Sequence, residues 1–256
     1  MPMLPSAIVW RRSGPEFALA AADEVSPLLT EKPDAAIALP TGHTPLGLYA
    51  ELLERAAAKQ LSPAGARYFN LDDYVGLSPD HPLSYARFLR QQFLNPGGVP
   101  AEHVRLLDGK ASDLEAECLH YESAIASCGG LDLAILGLGP NGHIGFNEPG
   151  SDWSASTHVV ALSPETRAMH AAQTQARFPI PTFGITMGIA TIFAARKILL
   201  LVAGGAKVNA LAAFRRAKPD PAWPVTALLA HRNLTVLSEV ELASASAPAG
   251  SSTSGP

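Results

Sequence analysis

The chain has 256 residues, 47% of them hydrophobic and 16% charged, with a net charge of −4. That length suits one large α/β domain or two small ones, and the apolar share suffices for a real core. Low charge argues against a long charged coiled coil or a mostly disordered chain, and the lack of a basic excess argues against a broad nucleic-acid surface.

In chain order, residues 14–29 are Ala-rich and amphipathic, predicting a helix that the breaker Lys32-Pro33-Asp34 ends. Ala35-Ala36-Ile37-Ala38-Leu39 has the length of a buried strand and runs into Pro40-Thr41-Gly42-His43-Thr44-Pro45. A helix over 46–59 follows, with Leu48, Leu52 and Leu53 on one face. Tyr68-Phe69-Asn70-Leu71 predicts a second strand, which opens onto Asp72-Asp73-Tyr74, a Pro-bearing loop and a helix over about 84–93. Ser112-x-x-Glu115 reads as a capping box for a helix reaching about Ser127. Residues 131–136 predict a third strand, followed by a glycine-rich loop over 137–150. Residues 197–203 form the most apolar strand, followed by Gly204-Gly205 and a helix over 206–217, and 234–237 is a candidate last strand.

Strands alternating with helices at this spacing predict an α/β fold: a Rossmann-like, open, mostly parallel sheet with helices on both faces. One domain over 1–242 is expected. The tail over 243–256 contains only Ala, Ser, Gly, Pro and Thr, which is too little apolar surface to order it. The two cysteines, Cys118 and Cys128, cannot build a disulfide framework and read as packing residues in a reduced compartment. No apolar run approaches the ~18 residues of a membrane helix. Residues 1–10 lack the pattern of a signal peptide, so a cytoplasmic protein without membrane partners is the expectation.

In an open parallel sheet, ligands gather at the carboxyl ends of strands. Four strand-end loops are therefore candidates. Thr41, Gly42, His43 and Thr44 precede a helix and offer backbone N–H groups to an anion, although Thr44 with Pro45 also reads as an ordinary helix start. Asp72 and Asp73 point in opposite directions if the strand continues, so one can face a ligand while the other is solvated or caps a neighbour. A carboxylate there suits proton abstraction beside a carbonyl or imine carbon. The loop over 137–150 departs from the dinucleotide fingerprint at Pro140 and Asn141, and it brings His143 and Glu148 close in sequence. No further His, Cys or Asp stands at metal-ligand spacing, so no metal is expected. Lys207, at a helix start, suits a phosphate, and Arg167 or Arg177 could clamp one bidentately. Each of these residues also has a bland reading as a turn or a solvated side chain.

Taken together, the motifs resemble the glucosamine-6-phosphate deaminase (isomerase) family, within the group that includes 6-phosphogluconolactonase. They are Leu39-Pro40-Thr41-Gly42-x-Thr44-Pro45, Phe69-Asn70-Leu71-Asp72-x-Tyr74-Val75-Gly76-Leu77, Asp80-His81-Pro82-x-Ser84-Tyr85, and Gly137-x-Gly139-x-Asn141-Gly142-His143-Ile144-Gly145-Phe146-Asn147-Glu148-Pro149-Gly150. Gly204-x-x-Lys207 and a stretch from Trp223 to His231 complete the set, which spans about 37–237 in family order.

The resemblance implies ring opening of an amino-sugar phosphate, then enolisation and loss of ammonia, with no metal or organic cofactor. It implies that Asp72 removes the C2 proton and that His143 handles the proton in ring opening, with Glu148 and Asn141 completing the relay. Thr41, Gly42, His43, Thr44 and Lys207 would hold the phosphate with an arginine. The family's arginine precedes a Phe, which points to Arg177 first and Arg167 second.

There are departures from the family pattern. Position 141 is Asn where many members carry Asp, so it can only orient His143. Asp73 stands where Glu is common, and His43 intrudes in the phosphate loop. Residues 179–183 keep little of the usual pattern. Members activated by N-acetylglucosamine 6-phosphate use an Arg and a Lys where this chain has His158 and Val160, so no such activation is expected.

The competing readings are a galactosamine-6-phosphate deaminase, a 6-phosphogluconolactonase and a non-enzymatic sugar-phosphate sensor. The Phe146-Asn147-Glu148-Pro149 element favours the deaminase over the lactonase, and the chain has no basic helix or spare length for a DNA-binding sensor. The expected partner is a small amino-sugar phosphate, and a homo-oligomer is compatible with this reading.

Overall fold

Apolar side chains alternate with period two along the central strands, sending successive residues into two separate cores. Ile37 and Leu39 pack with Leu133, Ile135, Leu199 and Leu201 on one face. Ala36 and Ala38 pack with Ala134, Leu136, Ile198 and Leu200 on the other. This two-sided burial is what a parallel sheet covered by helices requires. The computed structural model describes residues 8–10, 14–173, 175 and 177–240, so the tail read over 243–256 and residues 1–7 lie outside the described residues.

Seven parallel strands form the sheet, in the order β1 (Ile8–Trp10), β10 (Leu234–Ser238), β9 (Lys197–Val202), β6 (Leu133–Gly137), β2 (Ala36–Leu39), β3 (Arg67–Asn70) and β5 (Val104–Arg105). Helices α1 (Pro15–Glu31) and α2 (Leu46–Ala57) bury Phe17, Val25, Leu48 and Tyr49 in one core. On the other face, α4 (Leu114–Ser127) buries Tyr121 and Ile125, and α7 (Val208–Arg215) buries Leu211 and Phe214. The α/β architecture read from the sequence is thus the observed one.

The strand order changes direction between β6 and β2. From β2 the chain moves to β3 on one side, and later to β6 on the other. The crevice at that switch point is where such sheets bind ligands.

A second, antiparallel sheet of β4 (Asp72–Tyr74), β8 (Phe183–Thr186) and β7 (His158–Ala161) was not foreseen. Its strands are three or four residues long, and β7 is half exposed, so no strong apolar run announces it. Helices α5 (Pro164–Gln173) and α6 (Ile189–Phe193) were also not foreseen.

Two local readings need correction. The N-cap of α4 is Asp113, whose carboxylate accepts from Ala116 N at 2.9 Å, so the capping signal at Ser112 is displaced by one residue. The aspartate adds a negative charge that the positive end of the helix dipole favours. Thr44 does not cap α2: Pro45 holds the cap position, and no side chain caps that helix start.

Candidate functional site

The carboxyl ends of β9, β6, β2 and β3, four consecutive neighbours in the sheet, surround a cavity of about 260 Å³. Every strand-end loop singled out from the sequence contributes to it. Thr41, Gly42, His43 and Thr44 come from the end of β2, Asp72 from the end of β3, His143 from the loop after β6, and Lys207 from the turn after β9.

Helix α2 starts just after Thr44, with no side-chain cap, beside the side of the cavity formed by Thr41 and Thr44. A helix N-terminus without a side-chain cap has unpaired donors and a positive dipole end, both suited to an anion. Burial lowers the Lys207 ammonium from its usual range. A bound dianion would offset that cost and favour its charge.

The two adjacent acids part company as strand geometry demands. Asp72 lines the cavity, whereas the Asp73 carboxylate accepts from Tyr74 N, Ser84 Oγ, Tyr85 N and Ala86 N at 2.8 to 3.0 Å. It thereby ties β4 to the start of α3 (Tyr85–Leu89). Asn70 braces the turn, donating to Asp72 O at 2.7 Å and accepting from Leu107 N at 2.8 Å. Burial, followed by the charge of Asp73, raises the Asp72 carboxyl well above the usual carboxylate range. Burial also raises Asp73, against the pull of its hydrogen bonds.

The loop after β6 holds its histidine firmly. Asn141 Oδ1 accepts from His143 N at 3.2 Å and lies 2.7 Å from His143 Nδ1. The imidazole lies so close over Gly139 that a Cβ there would fall 2.3 Å from the ring, so only glycine fits. Gly142 O accepts from Val225 N at 2.9 Å, so the 3-10 segment Pro224–Ala230 supports the loop from behind. Burial, with the neighbouring His170 and Lys207 adding to it, lowers His143 to about 3. The imidazole is therefore neutral at physiological pH, with Nε2 left as the basic atom if Nδ1 donates to Asn141.

Not every expected residue reaches the cavity wall. Glu148 accepts from Ser163 N at 3.1 Å and Ser163 Oγ at 3.2 Å. Ser163 Oγ in turn accepts from Thr166 N at 3.1 Å, so Glu148 anchors the start of α5. Arg177 is exposed and donates to Gln175 Oε1 at 3.2 Å. Arg167 sits on α5 with a buried Nε that has no hydrogen-bond partner among the described residues. Neither arginine lines the cavity.

The structure adds wall residues that sequence reasoning had not singled out, Met169 and His170 from α5, and gives a place to Tyr85 and Phe146. Their signal was hidden because the residues that α5 buries, Thr166 and His170, are polar and form no apolar stripe.

A family model described as "Glucosamine-6-phosphate isomerases/6-phosphogluconolactonase" matches residues 15–237, which carry all of these loops. The chain belongs to this family. It is similar to a glucosamine-6-phosphate deaminase of Geobacillus sp. (strain WCH70), at 43% identity over 224 residues, covering 88% of this chain and 89% of the relative. A Bacillus pumilus (strain SAFR-032) protein of the same name is 40% identical, covering 88% and 93%. A solved structure described as a monomeric glucosamine-6-phosphate deaminase superposes with TM-score 0.87 at 37% identity, covering 91% of this chain and 97% of that one. A 6-phosphogluconolactonase from Thermotoga maritima superposes with TM-score 0.69 at 23% identity, which is a likeness of fold alone. Within the family, then, sequence likeness is to the deaminases, and the lactonases share the scaffold.

Proposed function

We propose that this chain is a glucosamine-6-phosphate deaminase, converting glucosamine 6-phosphate and water to fructose 6-phosphate and ammonia. The observation that carries the reading is a single cavity faced by an acid at its base (Asp72), a neutral imidazole (His143) and an anion cradle with Lys207. Similarity to deaminases at about 40% identity over most of the chain supports it.

The phosphate is held by the loop Thr41–Thr44, the first N–H groups of α2 and Lys207, with Arg177 as a further ligand ahead of Arg167. That grip fixes the far end of the sugar and orients C1 and C2 toward the acid. His143 Nε2 takes the proton of the anomeric hydroxyl and returns it to the ring oxygen, which opens the ring to the aldehyde. Asn141 orients this imidazole, and Glu148 acts at a distance by holding the start of α5. The Asp72 carboxylate then removes the C2 proton while the aldehyde oxygen takes a proton from the C2 ammonium, giving an enolamine. Its proton returns at C1, leaving a C2 imine that water hydrolyses to the ketone with release of ammonia. Burial suits Asp72 to this role, because a carboxylate whose pKa is raised is a stronger base than an ordinary one.

With His158 and Val160 in place of a basic pair, the rate is indifferent to N-acetylglucosamine 6-phosphate. Among the described residues no helix is long and apolar enough to cross a membrane. We place the enzyme in the cytoplasm, where phosphorylated sugars are held.

The test is ammonia release from glucosamine 6-phosphate beside galactosamine 6-phosphate, with ring opening of 6-phosphogluconolactone followed separately. Turnover of the first is expected. Consumption of the lactone alone would overturn the reading.

A further inference from the structure

Tyr85, Tyr74 and His170 form a hydrogen-bonded chain beside the cavity, and no step of the proposed deamination uses it. Helix α5 carries His170 into a buried position, where its Nδ1 lies 2.6 Å from the Tyr74 hydroxyl. The Tyr85 hydroxyl donates to Tyr74 at 3.4 Å. The Tyr74 proton is thus left for Nδ1, and the imidazole's own proton is assigned to Nε2. Phe146 packs against both partners, with ring centroids 5.9 Å from His170 and 5.5 Å from Tyr74.

This is an expensive way to fill space. Tyr74, Leu83, Phe146 and Leu162 form a small apolar cluster there, and the neighbouring wall residue Met169 is apolar. A leucine at 170 would avoid the desolvation cost of a buried imidazole and phenol. Fixing one ring nitrogen fixes where the other points, as the second partners of metal-bound histidines do. Burial, with the charge of Lys207 adding to it and that of Glu148 opposing, lowers His170 to about 4. It is therefore a neutral donor, unsuited to act as a counter-charge for phosphate. Tyr85, Phe146 and His170 all line the cavity that holds Asp72 and His143.

We propose that His170 is a specificity-determining substrate contact: locked by Tyr74, its imidazole hydrogen-bonds a hydroxyl on the carbon chain of the bound sugar phosphate. This rests on the sugar-phosphate part of the reading above, and not on the deamination.

The experiment titrates the full chain calorimetrically with fructose 6-phosphate and, separately, with inorganic phosphate. His170→Phe keeps the ring packing and removes both nitrogens. It should weaken fructose 6-phosphate at least about tenfold while changing phosphate less than about twofold. Because this variant strands the Tyr74 hydroxyl, the double variant His170→Phe with Tyr74→Phe removes that group as well. It should fold with the wild-type melting temperature and show the same selective loss. His170→Gln, which retains a donor, should recover part of the affinity. Unchanged fructose 6-phosphate binding in both Phe variants overturns the proposal. So does an equal loss for both ligands, or a wild type that binds phosphate and no sugar phosphate. A wild type that binds fructose 6-phosphate but releases no ammonia from glucosamine 6-phosphate defeats the deaminase reading, while the selective loss would still support this one.

Discussion

The Nδ1 atom of His143 lies 2.7 Å from Oδ1 of Asn141, so a neutral amide orients this imidazole where a carboxylate would also lend it charge. Without that charge, burial and the nearby His170 and Lys207 hold the ring at about 3. Asn141→Asp supplies the anion and should raise the His143 pKa. A base is lost when it is protonated, so the acid limb of kcat/KM should move to higher pH. The sign for stability follows from the same shift. Between about 3 and the ordinary 6.5 the unfolded chain binds the proton and the folded chain does not, so stability falls as pH drops through that window. The substitution should lessen that loss. A pH–rate profile and melting curves from pH 4 to about 7 check both effects, and coincident profiles for the two proteins would refute the coupling.

Asp72 presents the opposite case. Its carboxyl is raised from 3.8 by burial, so the folded state keeps a proton that the unfolded state has released, and stability falls as pH rises above 3.8. Asp72→Asn has the same shape and no charge to bury. It should stabilise the empty protein at pH 7 by about 1 kcal/mol, the range seen when a strained functional group is relieved. It should also abolish exchange of the C2 proton with solvent deuterium while sugar phosphate still binds. Retained exchange would show that another group is the base.

Gly139 is a position where a methyl group would strike the site itself. A Cβ there would lie 2.3 Å from the His143 ring and push it aside. Gly139→Ala should lower kcat by about two orders of magnitude, the size of effect expected from a misplacement of about 1 Å, and cost about 1–3 kcal/mol from overpacking. Phosphate affinity should stay near wild type, because the anion cradle lies on other loops. Steady-state kinetics with a phosphate-inhibition series would measure both.

The phosphate ligands can be ranked by substitution. Lys207 lines the cavity, so Lys207→Ala should raise KM by about tenfold or more and weaken inhibition by inorganic phosphate in parallel. Arg177 is exposed and, among the described residues, bonds a glutamine side chain, so it can reach a phosphate at little cost. Arg177→Ala should therefore raise KM more than Arg167→Ala. If Arg167→Ala gives the larger change, the order of the two arginines is reversed.

The five inner strands of the main sheet were legible because they are buried on both faces, whereas the edge strands β1 and β5, three and two residues long, were not. Continuous apolar runs such as residues 133–136 and 198–202 can hardly be mistaken when turn residues and amphipathic helices flank them. The antiparallel β4–β8–β7 layer was not legible. Strands of three or four residues leave too few positions for a period to emerge, and their partners lie more than 100 residues apart, as Asp72 and Thr186 do. Helix α5 was missed for a related reason. The residues it buries, Thr166 and His170, are polar, so no apolar stripe marks it, and His170 arrived at the cavity with no signal in the sequence around it.

The sequence by itself determined the alternating α/β architecture and the four strand-end loops, because hydrophobic period, glycine and proline act locally. It also determined that Asp72 and Asp73 point apart, since a strand's side chains must alternate. Only the tertiary structure decided which groups meet. The order β9-β6-β2-β3 makes four loops, spread from residue 41 to residue 207, neighbours around one cavity. The same packing assigned Glu148 to Ser163, left both arginines off the wall and brought His170 beside Tyr74. Those are contacts between side chains distant along the chain. They depend on how elements stack, which no local pattern encodes.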